Sequence, residues 1–355
     1  MEHNNPLKPL KTILLFAVSG ILMICVLLII LLANMAGFID HSPKKEELST
    51  KTKQVKQEAK LWTALSMDAV FHEKDPALIK YGKDLIANTS KYLGPKGTVT
   101  KVSNGMNCQN CHLDAGTKPW GNNYGAVAAT YPKFRERSGT KESIVKRVND
   151  CFERSLNGKA LDSTSREMQA MVAYIKFVGK FVAKDSIPKG SGIWKTKFID
   201  RPASLEKGKI AYQQKCVVCH QSNGEGLLNP EGTGYTYPPL WGKNSYNHGA
   251  GLFRLSRFAG YIKANMPLGA TWEKPQLTDE ESWDIAAYVN SQIRPIKDLS
   301  KDWPKIAGKP FDHPFGPYAD SFPEIQHKYG PFKPIDEFKK VQKKKKEQEA
   351  KLHSK

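Results

Sequence analysis

The sequence predicts an all-α fold: one transmembrane helix, two tandem helical domains joined by an extended linker, and a C-terminal coil. An apolar run without charged residues covers residues 13–33. A helix of that length spans the roughly 30 Å hydrocarbon core of a bilayer. Behind this run, the order of helix, CxxCH motif, long loop and helix occurs twice. This repeat predicts two domains with one architecture.

The composition fits a globular chain and favours anionic partners. The 355 residues suffice for two domains with flanking segments, and the 40% hydrophobic content allows packed cores. A formal net charge of +19 favours nucleic acid, acidic lipid, an acidic redox partner or a small anionic substrate. We expect no nucleic-acid binding, because no basic–aromatic pattern or nucleic-acid motif accompanies the charge.

The N-terminal apolar run is interpreted as an uncleaved anchor, with a cleaved signal peptide as the alternative. Signal peptides have apolar regions of about 7–15 residues that end at a small-residue cleavage site. Here the run is longer, and the segment 32–36 is a poor cleavage site. Lys8 and Lys11 precede the run, as expected for a cytoplasmic N-terminus.

Helix signals give the domain boundaries. Asp75-Pro76 is a good helix start, Gly94 is a helix end, and further helical patterns cover residues 165–182, 205–215 and 279–293. From Lys339 onward the chain is rich in lysine, which predicts a solvated, disordered tail rather than a docking patch. The predicted segments are an anchor (1–40), a charged stalk (41–60), a first domain (61–185), a linker (186–203), a second domain (204–297) and a C-terminal segment (298–355).

Four of the six cysteines belong to two CxxCH motifs, which comprise Cys108, Cys111 and His112 in the first domain and Cys216, Cys219 and His220 in the second. In such motifs, two thiols bond to the vinyl groups of one haem and the histidine is the proximal iron ligand. A zinc site would need a second pair of ligands, and a redox dithiol would need a βαβ context. The motifs therefore predict two covalently bound haem c groups. Haem attachment occurs outside the cytoplasm, so we expect the bulk of the chain in the bacterial periplasm, anchored to the inner membrane.

For the second haem, Met266 is the predicted distal ligand. It lies 46 residues after His220, on the loop before the last helix of the domain. Thioether ligation there would raise the haem potential. The alternative is an ordinary core methionine.

For the first haem, the interval that supplies a distal ligand contains Cys151 but no matching methionine. Cys151 lies 39 residues after His112 and is flanked by Lys146, Arg147 and Arg154. Such cations favour a thiolate, which is a strong iron ligand. The alternative is a buried cysteine that acts as a small hydrophobic residue.

The two-domain plan resembles tandem class I cytochrome c domains, and three segments resemble one enzyme family more closely. Residues 147–158, around Cys151, and the C-terminal segments 312–318 and 330–332 are similar to dihaem thiosulfate dehydrogenases, a family that includes tetrathionate reductases. The resemblance covers about residues 75–335. These enzymes join two thiosulfates into tetrathionate with release of two electrons, or run the reaction in reverse.

The resemblance implies specific roles at the first haem. His112 and Cys151 would be its axial ligands and would mark the active site. Arg147 and Arg137 would hold substrate anions, and Ser155 would line the same pocket. For the arginines, the alternatives are a haem propionate partner and a solvated face.

At the second haem, His220 and Met266 would ligate the iron and pass electrons to or from a redox partner, such as another cytochrome or the quinone-linked chain. Some family members place lysine beside the methionine, whereas this chain has Asn265 there. Two rival functions are a dihaem electron carrier or oxidase subunit without its own substrate, and a dihaem peroxidase. Neither rival explains Cys151 with its arginines.

Overall fold

The structure is a computed structural model that describes residues 8–35 and 60–353. The chain divides into two units, Met1–Glu58 and Ala59–Lys355. The described part of the first unit is helix α1 (Lys8–Met35), in which Phe16–Ala33 has a mean hydropathy of 3.1 and is not buried. Its length and composition agree with the predicted transmembrane helix. Apart from Lys60, the predicted stalk lies outside the described residues.

The second unit is mainly helical, as predicted. Two short antiparallel hairpins interrupt the helices: β1 (Lys133–Arg135) pairs with β2 (Thr140–Glu142), and β3 (Leu227–Leu228) pairs with β4 (Tyr235–Tyr237). The helices are α2 (Pro76–Ala87), α3 (Thr89–Leu93), α4 (Leu113–Gly116), α5 (Val127–Thr130), α6 (Ile144–Arg154), α7 (Arg166–Val178), α8 (Leu205–Lys215), α9 (Val217–His220), α10 (Leu255–Asn265), α11 (Asp279–Ser291), α12 (Glu324–Tyr329) and α13 (Lys333–His353).

Polar caps explain where the long helices begin. The Asp75 carboxylate accepts a hydrogen bond from the Leu78 amide (2.9 Å), and Pro76 occupies the first turn of α2. Ser165 caps α7 and Ser204 caps α8 in the same way. Thr278 begins α11 with a reciprocal capping box. The helix predicted over residues 205–215 is confirmed, and α11 ends two residues before the predicted position.

Both domains contain the same helix crossing, α2 against α7 and α8 against α11. A glycine lies at each contact. A Cβ atom on Gly82 would lie 2.0 Å from the Ala170 carbonyl oxygen, and one on Gly208 would lie 1.9 Å from the Asp284 carbonyl oxygen. Only glycine permits so close an approach of the two helices. The repeated crossing confirms that the two domains share one architecture.

Each domain has its own hydrophobic core, and the two cores interlock. Met168 and Tyr174 on α7 are fully buried in the first core, and Trp283 on α11 is fully buried in the second. Tyr246 belongs to the first core although it lies between the second motif and α10 in the sequence. Conversely, Cys111 of the first motif packs against the second core. The two domains therefore share an extensive interface.

The first part of the predicted linker (186–203) packs along the first domain, whereas its later residues, such as Phe198, pack against the second core. The Trp120 amide donates to the Gly190 carbonyl (2.8 Å), and Gly121 forms a β-bridge with Ile193. Gly190 and Gly192 have positive φ angles of 94° and 73°, a backbone conformation that favours glycine. These turns hold the linker close to the first CxxCH motif.

The C-terminal segment binds both domains. Asp302 accepts two hydrogen bonds from Arg154 of α6 (2.7 and 2.8 Å). Asp312 accepts two from Arg254, which immediately precedes α10 (2.6 and 2.8 Å). Paired bonds of this kind fix orientation as well as distance. The segment thus connects the two domains through ion pairs to each of them.

The lysine-rich tail differs from the prediction, because it forms the last part of helix α13 rather than a disordered end. Lysine, glutamine and glutamate have good helix propensity. Ion pairs four residues apart, such as Lys343 with Glu347 (3.8 Å), add a little stability. From residue 340 to residue 352 the helix is exposed to solvent, so the tail is solvated as expected.

Candidate functional site

Helix α6 presents the predicted site residues as one stripe. Ser143 caps the helix by accepting from the Lys146 amide (3.2 Å). Arg147, Cys151 and Ser155 then follow at intervals of four residues, which places them on one helix face. All three side chains line a cavity of about 750 Å³. The structure therefore brings together three of the four predicted catalytic residues.

The same cavity contains the first CxxCH motif, since Cys108, Cys111 and His112 line it together with Cys151. The Nδ1 atom of His112 lies 2.5 Å from the Asn122 carbonyl oxygen, to which a neutral imidazole donates. Burial lowers the pKa of His112 to about 4, so the ring is neutral at pH 7. A neutral imidazole with Nδ1 engaged has Nε2 free as a metal ligand.

The cavity suits a haem in size, lining and donors. Its volume lies within the roughly 300–1,000 Å³ that is typical of cofactor sites. Apolar side chains such as Met171 and Ile175 form part of the lining. Trp120 and Ser191 also line it, and their Nε1 and Oγ atoms are buried without a hydrogen-bond partner among the described residues. Haem propionates are acceptors that such donors can bind.

The cavity is strongly cationic. Its lining has six lysine or arginine residues and, within the described ranges, no aspartate or glutamate. Arg147 Nη1 donates to Cys151 Sγ at 3.1 Å, and the electrostatic interaction with Cys151 raises the pKa of Arg147. The other two cations near Cys151 in the sequence are engaged elsewhere: Lys146 pairs with Asp150, and Arg154 with Asp302.

Arg137 does not line this cavity. Its Nη1 atom donates to the Gly249 carbonyl oxygen (3.2 Å), and its Nε atom lies 4.0 Å from an Asp302 carboxylate oxygen. It borders a separate, water-sized pocket with His248 and His313. The structure thus does not bring Arg137 to Cys151, and its contact with substrate stays a prediction.

Several lining residues were not predicted from the sequence. Arg135 of β1 and Arg257 of α10 line the cavity, as do Trp194 and Lys195 of the linker. Arg257 lies in the second domain, far from Cys151 in the sequence. No local pattern distinguishes it from other arginines, because only the packing of α10 brings it to the first motif.

The second motif has the same supporting geometry. His220 Nδ1 lies 2.9 Å from the Pro238 carbonyl oxygen, and burial lowers the pKa of His220. Met266 directly follows α10 and packs, partly buried, against the second core, as does Cys216. The structure thus places Met266 in the same core region as a haem-attaching cysteine.

Helix α10 also contacts the first motif. The Tyr261 hydroxyl donates to the Asn110 carbonyl oxygen inside the CxxCH sequence (3.0 Å). Asn265 Nδ2 donates to the Trp120 carbonyl oxygen (3.2 Å). One helix therefore carries Arg257 to the first site and ends beside Met266 of the second.

Two helical domains, each with a CxxCH histidine held by a backbone carbonyl, define a dihaem c-type cytochrome. Residues 98–180 match the family model described as "SoxA/TsdA, cytochrome c domain", and residues 205–292 match "Cytochrome c". The thiosulfate dehydrogenase of Psychrobacter arcticus is 38% identical over 229 residues, which cover 64% of this chain and 67% of that protein. The thiosulfate dehydrogenase of Allochromatium vinosum is 37% identical over 199 residues, which cover 55% of this chain and 72% of that protein. The chain belongs to the thiosulfate dehydrogenase family.

A solved structure supports this assignment. The thiosulfate dehydrogenase TsdBA from Marichromatium purpuratum matches with a TM-score of 0.61 and 30% identity, over 67% of this chain. The match spans half of that solved chain. The family resemblance predicted from the sequence is confirmed. The chain is accordingly an oxidoreductase with two covalently bound haem c groups.

Proposed function

We propose that the chain interconverts thiosulfate and tetrathionate at the first haem site. In the oxidative direction, two thiosulfate dianions give one tetrathionate dianion and two electrons. The observation that carries this proposal is the Cys151 sulfur, hydrogen-bonded to Arg147 at 3.1 Å beside His112, in a cavity whose lining has no carboxylate among the described residues. The names of the relatives support the choice of substrate.

The charge of the cavity matches the substrates. Two thiosulfate dianions repel each other, so their approach requires cations in a partly desolvated site. Arg135, Arg147 and Arg257 supply three guanidinium groups around one cavity. A guanidinium group donates several hydrogen bonds in a fixed fork, which suits the oxygens of a sulfonate group.

We assign two roles to Cys151. With His112 it would hold the first haem iron, and its thiolate would also act as a nucleophile. Attack on thiosulfate would form a Cys151 S–S bond to the sulfane sulfur and release two electrons. A second thiosulfate would then displace Cys151 as a thiolate and leave as tetrathionate. The haem groups supply one-electron acceptors for the electrons released.

We assign electron exchange to the second domain. His220 and Met266 would hold its haem iron, and the electrons would pass to or from a redox partner outside the chain, such as another cytochrome or the quinone-linked chain. Helix α1 would anchor the protein to the bacterial inner membrane, with the catalytic part in the periplasm. The apolar segment Phe16–Ala33 supports the anchor.

The test replaces Cys151 with glycine in the holoprotein. Cys151→Gly should lower turnover with both substrates by more than about 100-fold, because Cys151 and the haem act as a unit and no other group can replace the missing thiolate. Both haems should stay attached, and the spectrum of the first should change. Cys25→Ser, at the exposed cysteine of α1, is the matched control and should retain activity. Full activity of Cys151→Gly with both substrates would reject the proposal in favour of an electron carrier.

A further inference from the structure

Among the described residues that line the cavity, Arg257 is the arginine that comes from the second domain. Arg135 lies near Glu142 (4.0 Å), and Arg147 binds Cys151. The Arg257 guanidinium, by contrast, forms no hydrogen bond or ion pair with any residue in the described ranges 8–35 and 60–353. Its side chain lines the cavity while its backbone is held inside helix α10.

The charged groups around Arg257 do not balance its positive charge. Burial lowers its pKa to about 10, and the neighbouring charges of Arg254, Arg147 and Arg135 contribute in the same direction. Asp312 opposes them, but its carboxylate is hydrogen-bonded to Arg254 and Ser256. Arg257 is still charged at neutral pH. A desolvated cation among like charges is unfavourable until an anion joins it.

We propose that Arg257 binds the substrate, so that both domains build the substrate site. This inference rests on the proposed function. Tetrathionate has a sulfonate group at each end and the reacting sulfur–sulfur bonds between them. If the reacting sulfur lies at Cys151, Arg147 holds the nearer sulfonate. Arg257 then holds the farther one, or the second thiosulfate that approaches from that side.

The helix that carries Arg257 gives this contact a fixed position. Tyr261 and Asn265, on the same helix, donate to backbone carbonyls of the first domain at 3.0 and 3.2 Å. Asp312 holds the start of the helix through the Ser256 amide (2.9 Å). The guanidinium therefore projects from an element held at both ends, which suits the alignment of two reacting anions.

The experiment measures tetrathionate binding and turnover in the holoprotein. Arg257→Ala and Arg257→Lys are compared with Arg166→Gln, a matched control at an exposed arginine outside the cavity. Calorimetric titration of the oxidised protein with tetrathionate gives Kd, and steady-state assays give KM and kcat in both directions. Haem content, resting spectrum and haem potentials are recorded for each variant.

Arg257→Ala should raise the Kd and KM for tetrathionate about tenfold or more, since a hydrogen bond to a charged group is lost. The haem content and spectrum should not change, and Arg257→Lys should recover part of the affinity. If the wild-type protein is active and Arg257→Ala leaves Kd and KM unchanged, this inference is wrong but the proposed function still stands. If Arg257→Ala changes the haem potentials but not Kd, the inference is also wrong, because Arg257 would then bind a haem propionate instead of the substrate. A wild-type protein that neither binds nor converts tetrathionate would remove the proposed function and this inference together.

Discussion

The helix crossing of the first domain leads to a strong prediction about stability. In Gly82→Ala, the new methyl group would lie 2.0 Å from the Ala170 carbonyl oxygen and 2.9 Å from Tyr174 Cβ. The obstacle is backbone, so α2 and α7 must separate by about 1 Å or more to reach ordinary contact. A gap of roughly 0.5–1 Å already removes a quarter to a half of each dispersion contact.

Two opposing effects set the size of the change. Overpacking a core costs about 1–3 kcal/mol, and a rigid obstacle favours the upper part of that range. Alanine in place of glycine inside a helix recovers up to about 1 kcal/mol. We therefore expect a net loss of about 1–2 kcal/mol in the free energy of unfolding.

Thermal and denaturant unfolding of the holoprotein, followed by circular dichroism, measures this loss. Gly208→Ala should behave alike, because its methyl group would lie 1.9 Å from the Asp284 carbonyl oxygen. Gly251→Ala is the control, since no described atom lies within 4 Å of its added methyl group. If Gly82→Ala were as stable as wild type or more stable, the proposed role of the glycine crossing would be wrong.

Three further predictions concern the second haem, the anchor and acid stability. Met266→Ala should lower the second haem potential and remove its thioether spectral features, while calorimetry still detects tetrathionate binding at the first site; an unchanged spectrum would exclude Met266 as ligand. Haem-stained gels of fractionated cells should show the full chain in the membrane pellet. Detergent should extract it and salt should not; release by salt would contradict an anchor in Phe16–Ala33. Burial raises the pKa of Asp312, but Arg254 and Ser256 lower it more, so that the pKa lies below its usual value. The stability that Asp312 contributes is therefore complete above its unfolded pKa of about 3.9 and is lost as the pH falls further. Asp312→Asn should therefore flatten the acid limb of a pH–stability curve, and an unaltered limb would contradict this assignment.

The sequence predicts those features that depend on neighbours along the chain. The CxxCH spacing, the Asp75 cap and the four-residue spacing of Arg147 and Cys151 are all local, and each has the expected geometry. Helix periodicity likewise predicts α8, and it predicts the start of α7, which ends at Val178, four residues before the predicted position.

Features that depend on distant contacts could not be predicted in this way. Arg154 lies three residues from Cys151, but its partner is Asp302, which comes from the C-terminal segment. The prolines and glycines of residues 186–203 indicate a linker, yet backbone pairing with Gly121 makes that stretch part of the cavity lining. Arg257 reaches the cavity only because α10 docks on the first motif.

The two aspartates of the C-terminal segment bear on how electrons cross the molecule. Asp302 holds Arg154 of the first domain and Asp312 holds Arg254 at the start of α10, while the two cores interlock. Domains fixed in this way have no need to diffuse and collide before they react. Electron transfer between the two haems would then occur across a constant gap, independent of viscosity and of protein concentration. The encounter with an outside partner, by contrast, should respond to ionic strength and crowding.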